Sequence, residues 1–391
     1  MSDVYSATDV AEARGESERD PLDGQKLEEG MALCLSGGGF KAAIYHLGGL
    51  IRLNEMGKLK ELKRISSVSG GSITNAHLAL QWKDLKFDAN GRAANFDELV
   101  TAPLIKYCTT QGVDIPSILS GVALPFWSGS DGLTKSLADN LYKSKTLQDF
   151  PDPATAPRFV INATNLQLNS LWRFSRTVAA DYRVGMIDNP TFKVAKIVAA
   201  SAGFPPFFTP VKLDISDCVV KAAPGATHNM APFNENLELG DGGIYDNMGL
   251  ETIWKRYRTL LVSNAGDPFK ELADPPNDWF SQFRRTISMI HRQAENNRVR
   301  FLMSLAIDGH RKLALWPLRS RVGKYKMIAD GVALSDDEAH LAATEEVRLW
   351  KLNRAALRRL LHHGYGVADA AVRGYLKWPN TPKASLPVIA V

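Results

Sequence analysis

The 391-residue sequence has no uncharged apolar run of about 18 residues, the minimum for a helix that crosses a bilayer. Its nearest approach, Ile115 to Ser130, is fenced by Asp114 and Asp131 and broken by Pro116 and Pro125, so no transmembrane helix is expected. Cysteine is scarce. Cys34, Cys108 and Cys218 lie far apart, which excludes a zinc ribbon or a disulfide scaffold and suits a reducing, cytoplasmic compartment. The eight histidines form no His-Glu-x-x-His pair, and His362 and His363 are adjacent, hence on different helix faces. Neither a structural metal nor a cofactor is expected. Gly-x-Gly-x-x-Gly and a Gly-Lys-Ser or Gly-Lys-Thr loop are both missing, which weakens any nucleotide-cofactor reading. The opening Met1-Ser2-Asp3 carries acid where a signal peptide needs base, so export is not expected either.

Against these absences stands an ordinary globular composition, 45% hydrophobic and 23% charged. The net charge of +5 is unevenly placed. From Asn277 onward there are 19 basic and 10 acidic residues, so a surplus of nine positive charges sits in the C-terminal third. Such a surface suits anionic lipid head groups or nucleotides, or is simply a solvated helical face. Residues 1–30 are polar and aperiodic, which predicts a flexible arm ahead of one domain spanning 31–391. Met31 to Leu35 reads as a strand, and Phe40, Ala43, Ile44, Leu47, Leu50 and Ile51 follow at helical spacing. The unit recurs: Arg64 to Val68 as a strand, then Ile73, Ala76, His77 and Leu80 along one helix face. Two strand-to-helix units in succession predict an α/β fold with a mainly parallel sheet flanked by helices. Further strands are expected at 159–163, 171–174, 237–239 and 259–263, and a helix at 194–201. The last 110 or so residues read as a helical layer, with Gly364 stopping one helix.

Three glycine-rich clusters sit where strands end. Ser36-Gly37-Gly38-Gly39-Phe40-Lys41 would expose backbone N–H groups at a helix N-terminus, suited to a phosphate or an oxyanion. Ser67-Val68-Ser69-Gly70-Gly71-Ser72 puts Ser69 at the position of a nucleophile on a sharp strand-to-helix turn, with the Gly70 N–H aimed at the same point. Leu239-Gly240-Asp241-Gly242-Gly243-Ile244-Tyr245-Asp246-Asn247 sets an acid at a strand end, as a base or as a turn-capping residue.

Taken in this order, glycine loop, serine elbow and Asp-Gly-Gly, the clusters resemble the patatin-like phospholipase family. The family's loop usually reads Asp-Gly-Gly-Gly-x-Arg-Gly; here Ser36, Lys41 and Ala42 replace its Asp, Arg and last Gly. Ala200 to Phe208 and the stretch from His363 to Ala371 also look like family segments, and the likeness runs from 31 to about 376. The resemblance implies a Ser-Asp dyad, with Ser69 as nucleophile, Asp241 as general base, and Gly37, Gly38, Gly39 and Gly70 as the oxyanion hole. It implies a serine lipid acyl hydrolase of phospholipase A type that associates peripherally with membranes. For some bacterial members it further implies activation by a nucleotide in antiphage defence. Phe126, Trp127, Phe204, Phe207 and Phe208 are expected to line an acyl groove or lid, although core packing suits the same rings. An acyltransferase or thioesterase with the same dyad, or a silent membrane-binding module, remains open at this stage, as does a homo-oligomer. No nucleic-acid partner is expected. His228, in the loop before Asp241, is the one histidine that could still turn the dyad into a triad.

Overall fold

The computed structural model describes residues 27–112, 129–205, 208, 210–223, 225–266, 269, 271–325, 331–378 and 381–389. Its strands, in chain order, are β1 (Glu28–Leu35), β2 (Leu62–Ser67), β3 (Arg158–Asn165), β4 (Ser170–Phe174), β5 (Val178–Asp181), β6 (Gly185–Asp188), β7 (Val211–Asp214), β8 (Asn236–Asp241), β9 (Tyr257–Asn264) and β10 (Lys312–Pro317). The helices are α1 (Gly39–Glu55), α2 (Gly70–Gln81), α3 (Ala102–Lys106), α4 (Gly129–Leu137), α5 (Val194–Ala202), α6 (Gly243–Asp246), α7 (Trp279–Ile307), α8 (Asp336–Thr344) and α9 (Arg354–Leu376).

All ten strands join one sheet in the order β10-β9-β1-β2-β3-β4-β5-β6, with β8 also paired to β3 and β7 at its far side. From β10 to β3 every pairing is parallel, and from β3 to β6 the sheet continues as an antiparallel meander. The fold is thus the expected α/β sheet with helices on its faces and a helical C-terminal layer. β1 illustrates why its sequence is an unbroken apolar run. Leu33 and Leu35 enter the main core while Ala32 and Cys34 enter a second core with Met248, Ile253, Val262 and Leu302 on the opposite face. A strand covered on both sides has no polar alternation to display.

α1 is buried from Gly39 to Asn54 because α9 closes over it. The crossing depends on two glycines. A Cβ on Gly364 would stand 2.0 Å from the Tyr45 carbonyl oxygen, and one on Gly48 would stand 2.1 Å from that of Leu361. Gly364 therefore does not stop a helix, as its residue type suggested, but lets α9 run on to Leu376 in backbone contact with α1. Arg52 locks the crossing: buried in α1, it pairs with Asp369 of α9 at 2.8 Å and with Glu55 at 2.9 Å. The C-terminal third departs from the expected helical layer at β10. This six-residue edge strand buries Ala314 and Trp316 on alternate positions, a length over which period 2 and period 3.6 are hard to tell apart. β1 also begins at Glu28, three residues before its apolar run. Among the described residues no helix is long and apolar enough to cross a membrane.

β2 and β8 meet end to end along the same side of β3. β2 runs parallel to β3 and ends with Ser67 opposite Ile161, whereas β8 runs antiparallel and ends with Asp241 opposite Ala163. Two residues of strand span about 7 Å, so the chain leaves both strand ends facing each other across roughly one side chain's length. β1 and β2, parallel neighbours, likewise end together, with Leu35 opposite Ser67.

Candidate functional site

Three loops converge at these strand ends. Ser69, between β2 and α2, has φ 52° and ψ −126°, a conformation an L-residue adopts only when its surroundings force it. The forcing contacts are identifiable. The Ser69 N–H donates to the Ser201 carbonyl at 3.1 Å and to its Oγ at 3.0 Å, and Gly70 and Gly71 follow under tight packing. A Cβ on Gly70 would lie 2.0 Å from the Gly39 carbonyl oxygen, and one on Gly71 would lie 2.3 Å from that of Leu35. Only glycine permits the elbow to press against the loop after β1.

Asp241 completes the arrangement. It is buried, its Oδ1 accepts the Gly243 N–H at 2.7 Å, and the Ser69 side chain lies near enough to act on its charge. Burial pushes its carboxyl up to about 7, against the smaller opposing pull of Gly243 and Ser69. An aspartate of this kind is a far better proton acceptor than one in water, whose pKa is about 3.9.

The glycine loop supplies donors selectively. Gly38 and Gly39 have φ of 135° and 61°, a turn that needs glycine and opens α1. Among the described residues the N–H groups of Gly38, Gly39 and Gly70 have no acceptor, and the Gly39–Gly70 packing brings two of them together. Gly37 differs from expectation: its N–H is committed to the Asn247 carbonyl at 2.9 Å, and a Cβ on it would meet Ser69 Cβ at 3.1 Å. It backs the serine rather than offering a free donor. The Phe40 N–H, next in line on α1, is taken by the Arg348 carbonyl at 2.7 Å, so a C-terminal segment far from the clusters in sequence trims the donor set.

Ser201, at the end of α5, is the junction of the site. Its carbonyl accepts from Ser69 and, at 3.0 Å, from Gly242, while the Gly203 carbonyl accepts the Asp241 N–H at 3.1 Å. Its hydroxyl reaches the Asn162 carbonyl at 2.6 Å and Ser72 Oγ at 2.9 Å. Ser67, which stands where an elbow usually has glycine, joins this buried chain through Ser72 at 3.0 Å and Asn75 at 2.9 Å. Sequence reasoning read Ala200 to Phe208 as a family segment without giving Ser201 a task. Asn162 went unnoticed altogether, since an asparagine near a strand end carries no distinguishing pattern, and Asn247 was read only as the end of the Asp-Gly-Gly cluster, without a task.

No described histidine touches Asp241. His228 is at the surface, hydrogen-bonded to Thr227 at 2.8 Å and edge-on to Phe233. His46 is engaged at both nitrogens: Nε2 donates to the Ser36 carbonyl at 2.9 Å, which leaves Nδ1 to accept from Ser263 Oγ at 2.7 Å. Burial lowers its pKa to about 4, so it is a neutral strut of the glycine loop. Lys41, in the family's arginine position, is buried; desolvation lowers its ammonium to about 8, with Glu345 and Glu295 opposing that fall. Of the aromatic groove candidates, Phe126, Trp127 and Phe207 lie outside the described residues. Phe204 is exposed and follows Gly203, whose carbonyl accepts the Asp241 N–H. Phe208 is buried and packs into the main core, the alternative role its ring also suited.

The family model of patatin-like phospholipases matches residues 33–254, a span that contains all three clusters. No curated protein matches the chain. Among solved structures, human GIVD cytosolic phospholipase A2 is similar in fold, with a TM-score of 0.53 at 12% identity over 88% of this chain. The match covers 59% of that chain, so the present protein spans little more than half of it. VipD from Legionella pneumophila is a more distant likeness, with a TM-score of 0.34 and 16% identity, covering 88% of this chain and 67% of that one. With its glycine loop, serine elbow and Asp-Gly-Gly strand end all inside the matched span, the chain belongs to the patatin-like phospholipase family.

Proposed function

We propose that the protein is a lipid acyl hydrolase that cleaves ester-linked acyl chains of glycerophospholipids through an acyl-enzyme on Ser69. The observation that carries this reading is the Ser69 side chain set near a buried Asp241 whose carboxyl is raised to about 7, beside three backbone donors with no acceptor among the described residues. Ser69 Oγ attacks the ester carbonyl carbon while its proton passes to Asp241, whose raised pKa equips it for that transfer. Negative charge grows on the carbonyl oxygen, and the N–H groups of Gly38, Gly39 and Gly70 are placed to receive it. Collapse expels the alcohol, which takes the proton from Asp241 and leaves Ser69 acylated. Water then attacks the acyl carbonyl, gives its proton to Asp241, and the expelled Ser69 oxygen recovers that proton as the fatty acid departs.

Incubating the protein with phospholipid vesicles and identifying the products by mass spectrometry tests this. Free fatty acid and lysolipid should form, and Ser69→Ala should form neither. Transfer of the acyl group to an added alcohol in preference to water would make the protein an acyltransferase instead. Absence of any acyl product would leave the silent-module reading standing.

A further inference from the structure

α7 is a 29-residue helix with its apolar residues on the wrong side. Only Arg292, Glu295 and Leu302 of it are buried, and Leu302, with the half-buried Val299 beside it, meets the second core. At 100° per residue Trp279, Phe283, Ile287, Ile290, Ala294 and Phe301 fall on one stripe, opposite the buried face. That stripe faces solvent: Trp279 is 78% exposed, Ile290 is 62% exposed, and Phe283, Ile287 and Phe301 are all exposed. Its large side chains run about 17 Å from Trp279 to Ile290; Ala294 and Asn297 then separate them from Phe301, whose ring packs edge-on to Trp254. Its outer end is already ordered, with the Trp279 and Phe283 rings stacked and the Arg284 guanidinium over the Phe280 ring. A contiguous row of large apolar side chains on a monomer surface marks something that covers it.

We propose that this face of α7 docks on an anionic lipid surface, with the stripe in the acyl boundary and the flanking arginines at the phosphates. The inference rests on the lipid hydrolase reading, which places the substrate in a bilayer. Charge selects the occupant. The helix carries five arginines and a single acid, Glu295, which is buried and held by Arg292 at 3.0 Å and by Asn264 at 2.7 Å. By the same count Arg300 lies about 60° beyond Trp279 and Arg284 about 60° beyond Ile287, at the azimuth of Leu302 but at the exposed end of the helix, and neither has a carboxylate partner among the described residues. Pairing this face with a second copy of itself would bring arginine against arginine. A surface of lipid phosphates meets the same groups with opposite charge, and an interfacial helix combines these features, basic flanks around an aromatic and aliphatic face. The position also suits the chemistry. The inner side of α7 touches the site, where His291 Nε2 donates to the Gly243 carbonyl at 3.0 Å, and the Gly243 N–H in turn holds Asp241. The docked face therefore stands about one helix diameter, some 10 Å, from the acid's backbone support.

The test uses the full chain in a Ser69→Ala background, so that the bilayer stays intact, and measures co-sedimentation with vesicles. Phosphatidylcholine mixed with phosphatidylglycerol is compared with phosphatidylcholine alone. Changing Phe283, Ile287 and Ile290 together to Ser should weaken binding to the mixed vesicles by at least about tenfold, and Arg284→Gln with Arg300→Gln should do so by a similar factor. The pure phosphatidylcholine vesicles should bind weakly and respond little to the arginine changes. With Ser69 restored, the same variants should hydrolyse p-nitrophenyl butyrate at rates within about twofold of the parent. Unchanged co-sedimentation overturns the proposal. So does a dimer in light scattering that the triple variant dissolves, which would assign the face to a second copy, or a collapse of soluble-ester turnover, which would make the stripe structural. If the parent binds vesicles as described but releases no fatty acid, the hydrolase reading fails and the docking surface stands.

Discussion

At the level of single residues the site is a set of local costs held in place by neighbours. Asp241 is the clearest. Its folded carboxyl titrates near 7, above its unfolded value of 3.8, so between those values the folded state binds a proton that the unfolded state has released. Stability therefore falls as pH rises from about 4 to 7, and stays at the lower level above it. Asp241→Asn removes that dependence. Its melting temperature should match the parent near pH 4 and exceed it above pH 7, by up to about 4 kcal/mol in unfolding free energy. An equal difference at both pH values would mean that burial does not raise this carboxyl. Ser69 stores a second cost in its backbone. Since glycine relieves positive φ and alanine does not, Ser69→Gly should be more stable than Ser69→Ala by about 1 kcal/mol or more in urea unfolding, both being inactive. The residue types of both groups were readable in the sequence, because a serine or aspartate beside paired glycines at a strand end is a pattern. Their environment was not, since the Ser201 and Asn162 contacts reach the elbow from segments more than 90 residues away.

Elements explain where reading the sequence worked and where it failed. Strands β1, β2, β8 and β9 were legible because they end at or next to glycine, β3 from its apolar run alone, and α1, α2 and α5 because their apolar spacing is regular. β10 hid in a basic, leucine-rich stretch, and Gly364 was taken for a stop signal because its real role is set by a partner helix over 300 residues earlier. That role is testable. Gly364→Ala forces a methyl group into the Tyr45 carbonyl, so α1 and α9 must separate, and a loss of about 2–3 kcal/mol is expected in urea unfolding. A loss below about 0.5 kcal/mol would show that the crossing is looser than described. The end of α5 deserves a parallel experiment. Ser201→Ala keeps the carbonyl that holds Ser69 and Gly242 but deletes the hydroxyl that ties Ser69 to Asn162. A fall in kcat of roughly tenfold with KM little changed is expected, because the serine is misplaced while the groove is untouched. Recovery in Ser201→Thr, which restores the hydroxyl, separates positioning from packing.

Across the whole molecule, the sheet turns sequence distance into contact. The glycine loop, the elbow and the acid lie within the matched span of 33–254, yet the segment around Arg348 and the helix α7 lie beyond it and still reach the site. This is why the proposed catalytic residues could be named from motifs while the residues that trim the donors and face the surroundings could not. The central claim is that Ser69 and Asp241 act as a dyad without histidine, and its most direct measurement is labelling by an alkyl fluorophosphonate followed by peptide mass spectrometry across pH. The account predicts one adduct, on Ser69, with a rate that rises with pH through about 7 as Asp241 ionises. The rate should fall by about 10²-fold or more in Asp241→Asn and stay within about tenfold in His228→Ala and His46→Ala. An adduct on another residue, or a rate that His228→Ala abolishes and Asp241→Asn spares, would contradict it.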